Sequence, residues 1–298
     1  MNGGLSASSG QSGTLPDSAA GPRPRIALIG HRGRMGTMLM RRWREAGYDV
    51  RGADRETGSA RASTRSAGST ANAIAPHALA EAARNAEIVG LCVPAGVLPA
   101  LLADLRPLLD PGQVLFDITS VKVLPMEQME AAHRGPVVGT HPLFGPEPAP
   151  DDLTVAVTPG HNANEEHLRL IERLYTAFGC RVFRTTPQEH DRGAAFVQGL
   201  NFISSAAYLA SLAERDDLLP FLTPSFRRRL EGARKLLIED GDMFQGFTSA
   251  NPMTKDAVHT FRLFLDLAEG GGLPDVLRRA RWWYETDGPA ATRGGKKD

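Results

Sequence analysis

Arg25-Ile26-Ala27-Leu28-Ile29-Gly30-His31-Arg32-Gly33-Arg34-Met35-Gly36 is the stretch that sets the fold. The unbroken apolar run to Ile29 predicts a short buried strand. Met35 to Ala46 then places Met, Leu and Trp43 on one helical face and stops at Gly47. Between strand and helix the glycines are spaced GxxGxxG. Gly30 suits a tight turn, Gly33 the close approach of a pyrophosphate, and Gly36 close packing of helix on strand; the helix N-terminus offers free N–H groups to an anion. A second strand, Tyr48 to Ala53, ends in Asp54, where a carboxylate can meet a ribose 2′-hydroxyl and repel a 2′-phosphate. NAD is therefore favoured over NADP, with the adjacent Arg55 pulling the other way. Gly30, Arg32, Gly33, Met35, Gly36 and Asp54 are the candidate cofactor contacts.

Working outward, Ala78 to Arg84 predicts a helix and Glu87 to Val93 a buried strand leaving through Pro94. Val93 and Pro94 stand at a strand's carboxyl end, where dinucleotides lie in such sheets; a plain strand exit explains them equally well. Leu98 to Leu109 is the next helix. Val114 to Lys122 is a strand delivering Ser120 and Lys122 at its end. Ser120 can hydrogen-bond a substrate alcohol or a carboxamide; Lys122 can pair a carboxylate, but capping of the following helix is the preferred reading. Pro136 to Gly139 forms a further strand and runs into Thr140-His141-Pro142-Leu143-Phe144-Gly145-Pro146-Glu147. His141 is thus expected just past a buried strand, facing a cleft, as the candidate acid/base. Strand–helix alternation from Arg25 onward predicts a doubly wound parallel sheet with its crevice along the strand ends.

Leu153 to Thr158 and Arg181 to Arg184 read as additional strands around a helix from Asn164 to Phe178. Helices are then expected at Gln188 to Glu214, Ser225 to Phe244 and Lys255 to Ala268, broken at Leu219-Pro220 and Asn251-Pro252. Their apolar content exceeds what one small domain needs, so dimerisation through them is expected. The expected division is a disordered leader at 1–24, a dinucleotide-binding domain at 25–150 with 151–186 extending its sheet, a helical substrate and dimerisation domain at 187–286, and a frayed tail at 287–298. Thr57 to Asn72 reads only as a loose connection.

The 298 residues are 42% hydrophobic, enough for proper cores. Lys plus Arg (34) balances Asp plus Glu (34), which argues against a global pull toward nucleic acid or anionic lipid and favours a small-molecule substrate. Two widely separated cysteines, Cys92 and Cys180, suit a reducing compartment. No apolar run approaches the roughly 18 residues of a membrane span, and the first residues lack a secretory pattern. A cytoplasmic protein is expected.

Three stretches together resemble the prephenate dehydrogenase family of tyrosine biosynthesis: the glycine turn with Asp54; Asp117-Ile118-Thr119-Ser120-Val121-Lys122 followed by Thr140 to Pro146; and Gln188-Glu189-His190-Asp191-Arg192 opening a helix that contains Gln198. The likeness covers roughly residues 25 to 250. It implies a Rossmann-type nucleotide domain, a helical dimerisation domain, and an active site between them. The implied reaction is oxidative decarboxylation of prephenate to 4-hydroxyphenylpyruvate with hydride passed to NAD, His141 as base, Ser120 orienting the hydroxyl, and no metal. Gln198, Arg234 and Lys235 are the implied substrate-binding residues. Two positions depart from the pattern. Lys235 aligns with an arginine of the family, and Phe202 stands where relatives carry a histidine, which opens arogenate or 4-amino-4-deoxyprephenate as the substrate. His190-Asp191 reads as a helix-start cap and orienting pair. A dinucleotide sensor without turnover remains an alternative, as does a hydroxyacid dehydrogenase using Lys235.

Overall fold

The computed structural model describes residues 23–55 and 74–285. The expected leader before residue 23, the loose connection over Thr57 to Asn72 and the tail from 287 lie outside these described residues. The glycine stretch folds as β1 (Ile26–Ile29), a turn, and α1 (Arg34–Glu45), followed by β2 (Val50–Ala53). Then come α2 (Pro76–Ala83), β3 (Ile88–Leu91), α3 (Leu98–Leu105), β4 (Val114–Asp117), α4 (Val123–Ala132) and β5 (Val137–Pro142). β6 (Thr154–Pro159), α5 (Glu165–Thr176) and β7 (Arg181–Arg184) complete a seven-stranded sheet of order β2-β1-β3-β4-β5-β6-β7.

β1 to β5 pair in parallel, and β6 runs antiparallel to β5 with β7 parallel to β6. The expected parallel sheet is found, with one antiparallel pairing, β5 with β6, toward its edge. A parallel pair needs a crossover, usually helical, whereas the link from β5 to β6 holds only a short 3₁₀ turn at Pro150–Asp152, so the chain doubles back. The reversal also corrects the end of β5. The strand continues through His141 and Pro142 because β6 pairs with it as far as Pro142–Val155.

Alternation along buried strands sends side chains to two cores. Ile26, Leu28, Phe116, Val138 and Val155 face α1 and α5, where Trp43 is fully buried and donates its indole N–H to the Leu174 carbonyl at 2.8 Å. Ala27, Ile29, Val89, Leu91 and Leu115 face α2, α3 and α4. This is the doubly wound arrangement. By the same alternation Thr140 turns toward α5, where its hydroxyl meets the Tyr175 hydroxyl at 2.7 Å, and His141 turns toward the opposite face.

The remaining described residues are mainly helical: α6 (Pro187–Ala194), α7 (Leu200–Ala210), α8 (Pro224–Arg234), α9 (Gly241–Ala250), α10 (Thr254–Leu267) and α11 (Leu273–Arg281). π turns at Ala195–Gly199, Lys235–Glu239 and Ala268–Gly272 join α6 to α7, follow α8, and join α10 to α11. The helix expected over Ser225 to Phe244 is thus divided at Asp240, and the one expected to reach Glu214 ends at Ala210. α7 buries no residue, and Phe221, Ile238, Leu263 and Tyr284 are exposed. Among the described residues no helix is long and apolar enough to cross a membrane.

Candidate active site

The glycine turn is built as its spacing demands. Gly30 has φ +84°, and a Cβ there would run into the Cys92 carbonyl oxygen; a Cβ on Gly36 would meet the Gly30 carbonyl oxygen and lie 2.8 Å from His31 Cα. Gly30→Ala should therefore destabilise the fold by at least about 1–2 kcal/mol from left-handed backbone alone, read as a lower denaturation midpoint in urea. Gly33 is the N-cap of α1, with no side-chain cap and no acidic residue in the first turn. The open N–H groups there suit a pyrophosphate. Asp54 closes the turn from the end of β2. Its carboxylate accepts the N–H of Arg32 and that of Arg55, both at 2.7 Å, and the Arg32 guanidinium donates to the Arg55 carbonyl at 3.3 Å. Met35 is half-buried against the α1 core. The Val93 side chain lies against Gly30, and Pro94 is exposed at the end of the same strand. These residues form one continuous rim at the strand ends, and they fit a dinucleotide.

The second half of the site assembles where β4, β5 and α6 meet. Lys122, read from sequence as a helix cap, instead sends a fully buried ammonium back to Asp117, 2.7 and 2.6 Å from its two oxygens, and donates to the Thr140 carbonyl at 2.7 Å. Thr119 Oγ1 also donates to Asp117. Burial pushes the ammonium below its ordinary pKa, against the opposing pull of Asp117 and Asp191. Gly139 makes room: a Cβ there would lie 2.9 Å from Lys122 Cδ and 2.6 Å from Met126 Sδ.

His141 is buried, 5% exposed, and its Nδ1 lies 2.9 Å from His190 Nε2, the rings meeting edge-on at 5.1 Å. Burial first, then His190 and the Lys122 charge, hold it well below the usual histidine pKa, so it is neutral near pH 7. His190 Nδ1 in turn lies 2.8 Å from Asp191 Oδ1. Asp191 accepts the backbone N–H of Lys122 at 2.7 Å and of Val123 at 2.9 Å. The expectation that His190 and Asp191 cap their own helix is corrected. Thr186 and Glu189 form the capping box of α6, and Asp191 caps α4 instead. Ser120 sits half-buried in the loop between Asp117 and this cap.

The helical region closes over the strand ends. Phe247 and Ala194 pack with Val121, and Phe244 and Ala95 join them. Asn251 donates to the Asp191 carbonyl at 2.8 Å, and Arg34 at the start of α1 pairs with Asp240 at 3.3 Å. Gln198 is half-buried in the first π turn; Arg234 and Lys235 are exposed where α8 meets the second, which leads to Asp240. Phe202 stacks on Phe244, ring centroids 5.4 Å apart. The sequence reading missed Asp117 and Tyr175 as supports and His190 as the partner of His141. An Asp and a Lys five residues apart, flanking a strand end, were the one local signal available.

Residues 39–184 match the family model for the prephenate dehydrogenase nucleotide-binding domain. Over these residues the chain is similar to the nucleotide-binding domain of prephenate dehydrogenases. Among curated proteins it is 29% identical over 223 residues to a T-protein of Enterobacter agglomerans, covering 74% of this chain and 54% of that protein. It is 26% identical over 271 residues to the T-protein of Haemophilus influenzae, covering 87% and 67%. A probable arogenate/prephenate dehydrogenase of Methanocaldococcus jannaschii is 29% identical over 189 residues, covering 61% and 42%. The chain thus spans about two fifths to two thirds of the length of these relatives. The fold is shared with solved members of the family. Prephenate dehydrogenase from A. aeolicus, in complex with hydroxyphenyl propionate and NAD+, superposes with TM-score 0.68 at 17% identity, covering 87% of this chain and 95% of that one. Synechocystis arogenate dehydrogenase gives 0.66 at 19%, covering 87% and 97%.

Proposed function

We propose that the chain is a cytoplasmic, NAD-dependent dehydrogenase that oxidatively decarboxylates prephenate to 4-hydroxyphenylpyruvate. The observation that carries this reading is a buried, neutral His141 held at the same strand ends as the glycine turn and Ser120. In the reaction hydride leaves the ring carbon that bears the hydroxyl, and His141 takes the hydroxyl proton as the ketone forms. NAD, when bound, supplies the hydride acceptor. Ser120 orients the hydroxyl. Cleavage of the ring-carbon-to-carboxylate bond returns its electron pair to the ring, releasing carbon dioxide and restoring aromaticity, so no strong acid or metal is required. Gln198, Arg234 and Lys235 are assigned to the substrate's polar groups; Lys235 offers a point charge where an arginine would offer a fork.

The Phe202–Phe244 stack favours a second substrate reading, arogenate or 4-amino-4-deoxyprephenate, because it sets an aromatic pair where relatives carry a histidine. Initial rates of NAD reduction with the three compounds decide between them. Highest kcat/KM for prephenate supports the first reading, and no turnover of any with NAD or NADP removes both.

Asp54 supports NAD as the cofactor. Asp54→Asn keeps an oxygen for the Arg32 N–H and removes the charge that repels a 2′-phosphate. It should weaken NAD by about tenfold, the worth of one charge-assisted hydrogen bond, and improve NADP, measured as the ratio of the two Kd values. The apolar exposure of α7 and its neighbours supports a homodimer through the helical region. Sedimentation equilibrium of the full chain tests it, and a monomer at micromolar concentration contradicts it.

A further inference from the structure

We propose that His190 and Asp191 are positioning residues that hold His141 in the tautomer with a free Nε2 lone pair, a setting completed only when the helical region is seated on the sheet. The role of that lone pair as the base rests on the dehydrogenase reading; the tautomer does not.

The argument starts from the groups whose hydrogens are fixed. The backbone N–H groups of Lys122 and Val123 can only donate, and they engage Asp191 Oδ1 and Oδ2 at 2.7 and 2.9 Å. Both oxygens are therefore acceptors, and the N-terminal end of α4 favours the anion. An ionised carboxylate has no hydrogen to give, so His190 Nδ1, 2.8 Å from Oδ1, carries the proton of that contact. A neutral His190 then has its lone pair on Nε2. That atom lies 2.9 Å from His141 Nδ1, which must be the N–H of the pair. His141 Nε2 is left unprotonated. A second proton on His190 would reverse the last hydrogen bond and turn His141 Nε2 into a donor, which the ¹⁵N spectrum below distinguishes.

The chain of hydrogen bonds crosses the molecule. His141 is on β5, His190 and Asp191 are on α6, and the capped N–H groups open α4, directly after Ser120. Asn251, at the end of α9, donates to the Asp191 carbonyl at 2.8 Å and holds the same residue from the helical side. Seating α6 and α9 on the sheet thus sets the loop carrying Ser120 and the ring orientation of His141 together.

The test uses the full chain labelled with ¹⁵N-histidine, with His141 assigned through His141→Asn. Wild type should show His141 protonated on Nδ1, and His190→Ala should move it toward the Nε2–H form. In turnover, His190→Ala should lower kcat by about 10-fold to 100-fold with little change in KM or NAD affinity, and His190→Gln, whose carbonyl can accept the His141 Nδ1–H, should recover part of the loss. A merely structural role would not separate these variants. An Nε2–H tautomer in wild type overturns the proposal, as do equal kcat values for wild type, His190→Ala and His190→Gln. If none of the candidate substrates is oxidised, the dehydrogenase reading falls alone, and the tautomer spectrum still decides the positioning role. If His190→Ala does not fold, the wild-type and His190→Gln spectra decide it.

Discussion

His141→Asn should lower kcat for NAD-linked oxidation by about 10²–10⁴-fold, the range that a positioned general base contributes, with the Kd for NAD nearly unchanged. Asparagine keeps a polar group of similar reach but accepts no proton. The pH dependence follows from the same site. Burial above all, together with the Lys122 ammonium, opposes the charged form of His141, so its pKa lies well below 6.5. The proposed reaction needs the neutral ring. The acid limb of kcat/KM should therefore fall well below pH 6.5, with the rate flat from there through neutrality. Asp117 and Asp191, the anions nearby, are already engaged by Lys122 and by the start of α4. An acid limb at or above pH 6.5 would mean that some other group takes the proton. Unchanged kcat in His141→Asn would remove His141 from the chemistry.

Lys122→Met should destabilise the fold by about 3–5 kcal/mol, because it strands the Asp117 carboxylate without its counter-charge in the sheet interior. Both side chains are fully buried, and the ammonium also satisfies the Thr140 carbonyl next to His141. The double variant Lys122→Met/Asp117→Asn should recover much of the loss, since removing both charges leaves no uncompensated ion. Urea unfolding of the two variants gives the comparison. Where Lys122→Met stays folded, loss of the nearby positive charge should move the acid limb of activity upward, toward neutral pH. Equal stability of wild type and Lys122→Met would show that the pair carries no such burden.

The glycine turn was legible because its constraints are local. Gly30 and Gly36 sit where a Cβ cannot, and Asp54 meets the same turn from the next strand. Short apolar runs located the strands to within a few residues. The reversal at β6 was not legible, because alternation along Leu153 to Thr158 does not distinguish pairing directions. It changed the setting of His141, which lies inside a paired strand rather than beyond it. The supports of His141 were hidden for a different reason. His190 is 49 positions away, and Asp191 caps a helix start 68 and 69 positions earlier in the chain. No local spacing encodes such contacts, so the pair read as a cap for its own helix, a place that Thr186 and Glu189 already fill. In the helical region the π turns shift the helical phase, which is why the expected spans missed the division at Asp240.

The measurement closest to the central claim is a stoichiometry. The 298-residue chain is supplied with prephenate and NAD, and NADH, carbon dioxide and 4-hydroxyphenylpyruvate are quantified together for wild type and His141→Asn. Equal amounts of the three products from wild type, all lost together in His141→Asn, is the predicted result. Hydroxyphenylpyruvate or carbon dioxide formed without matching NADH, or product formation that persists in His141→Asn, would contradict it.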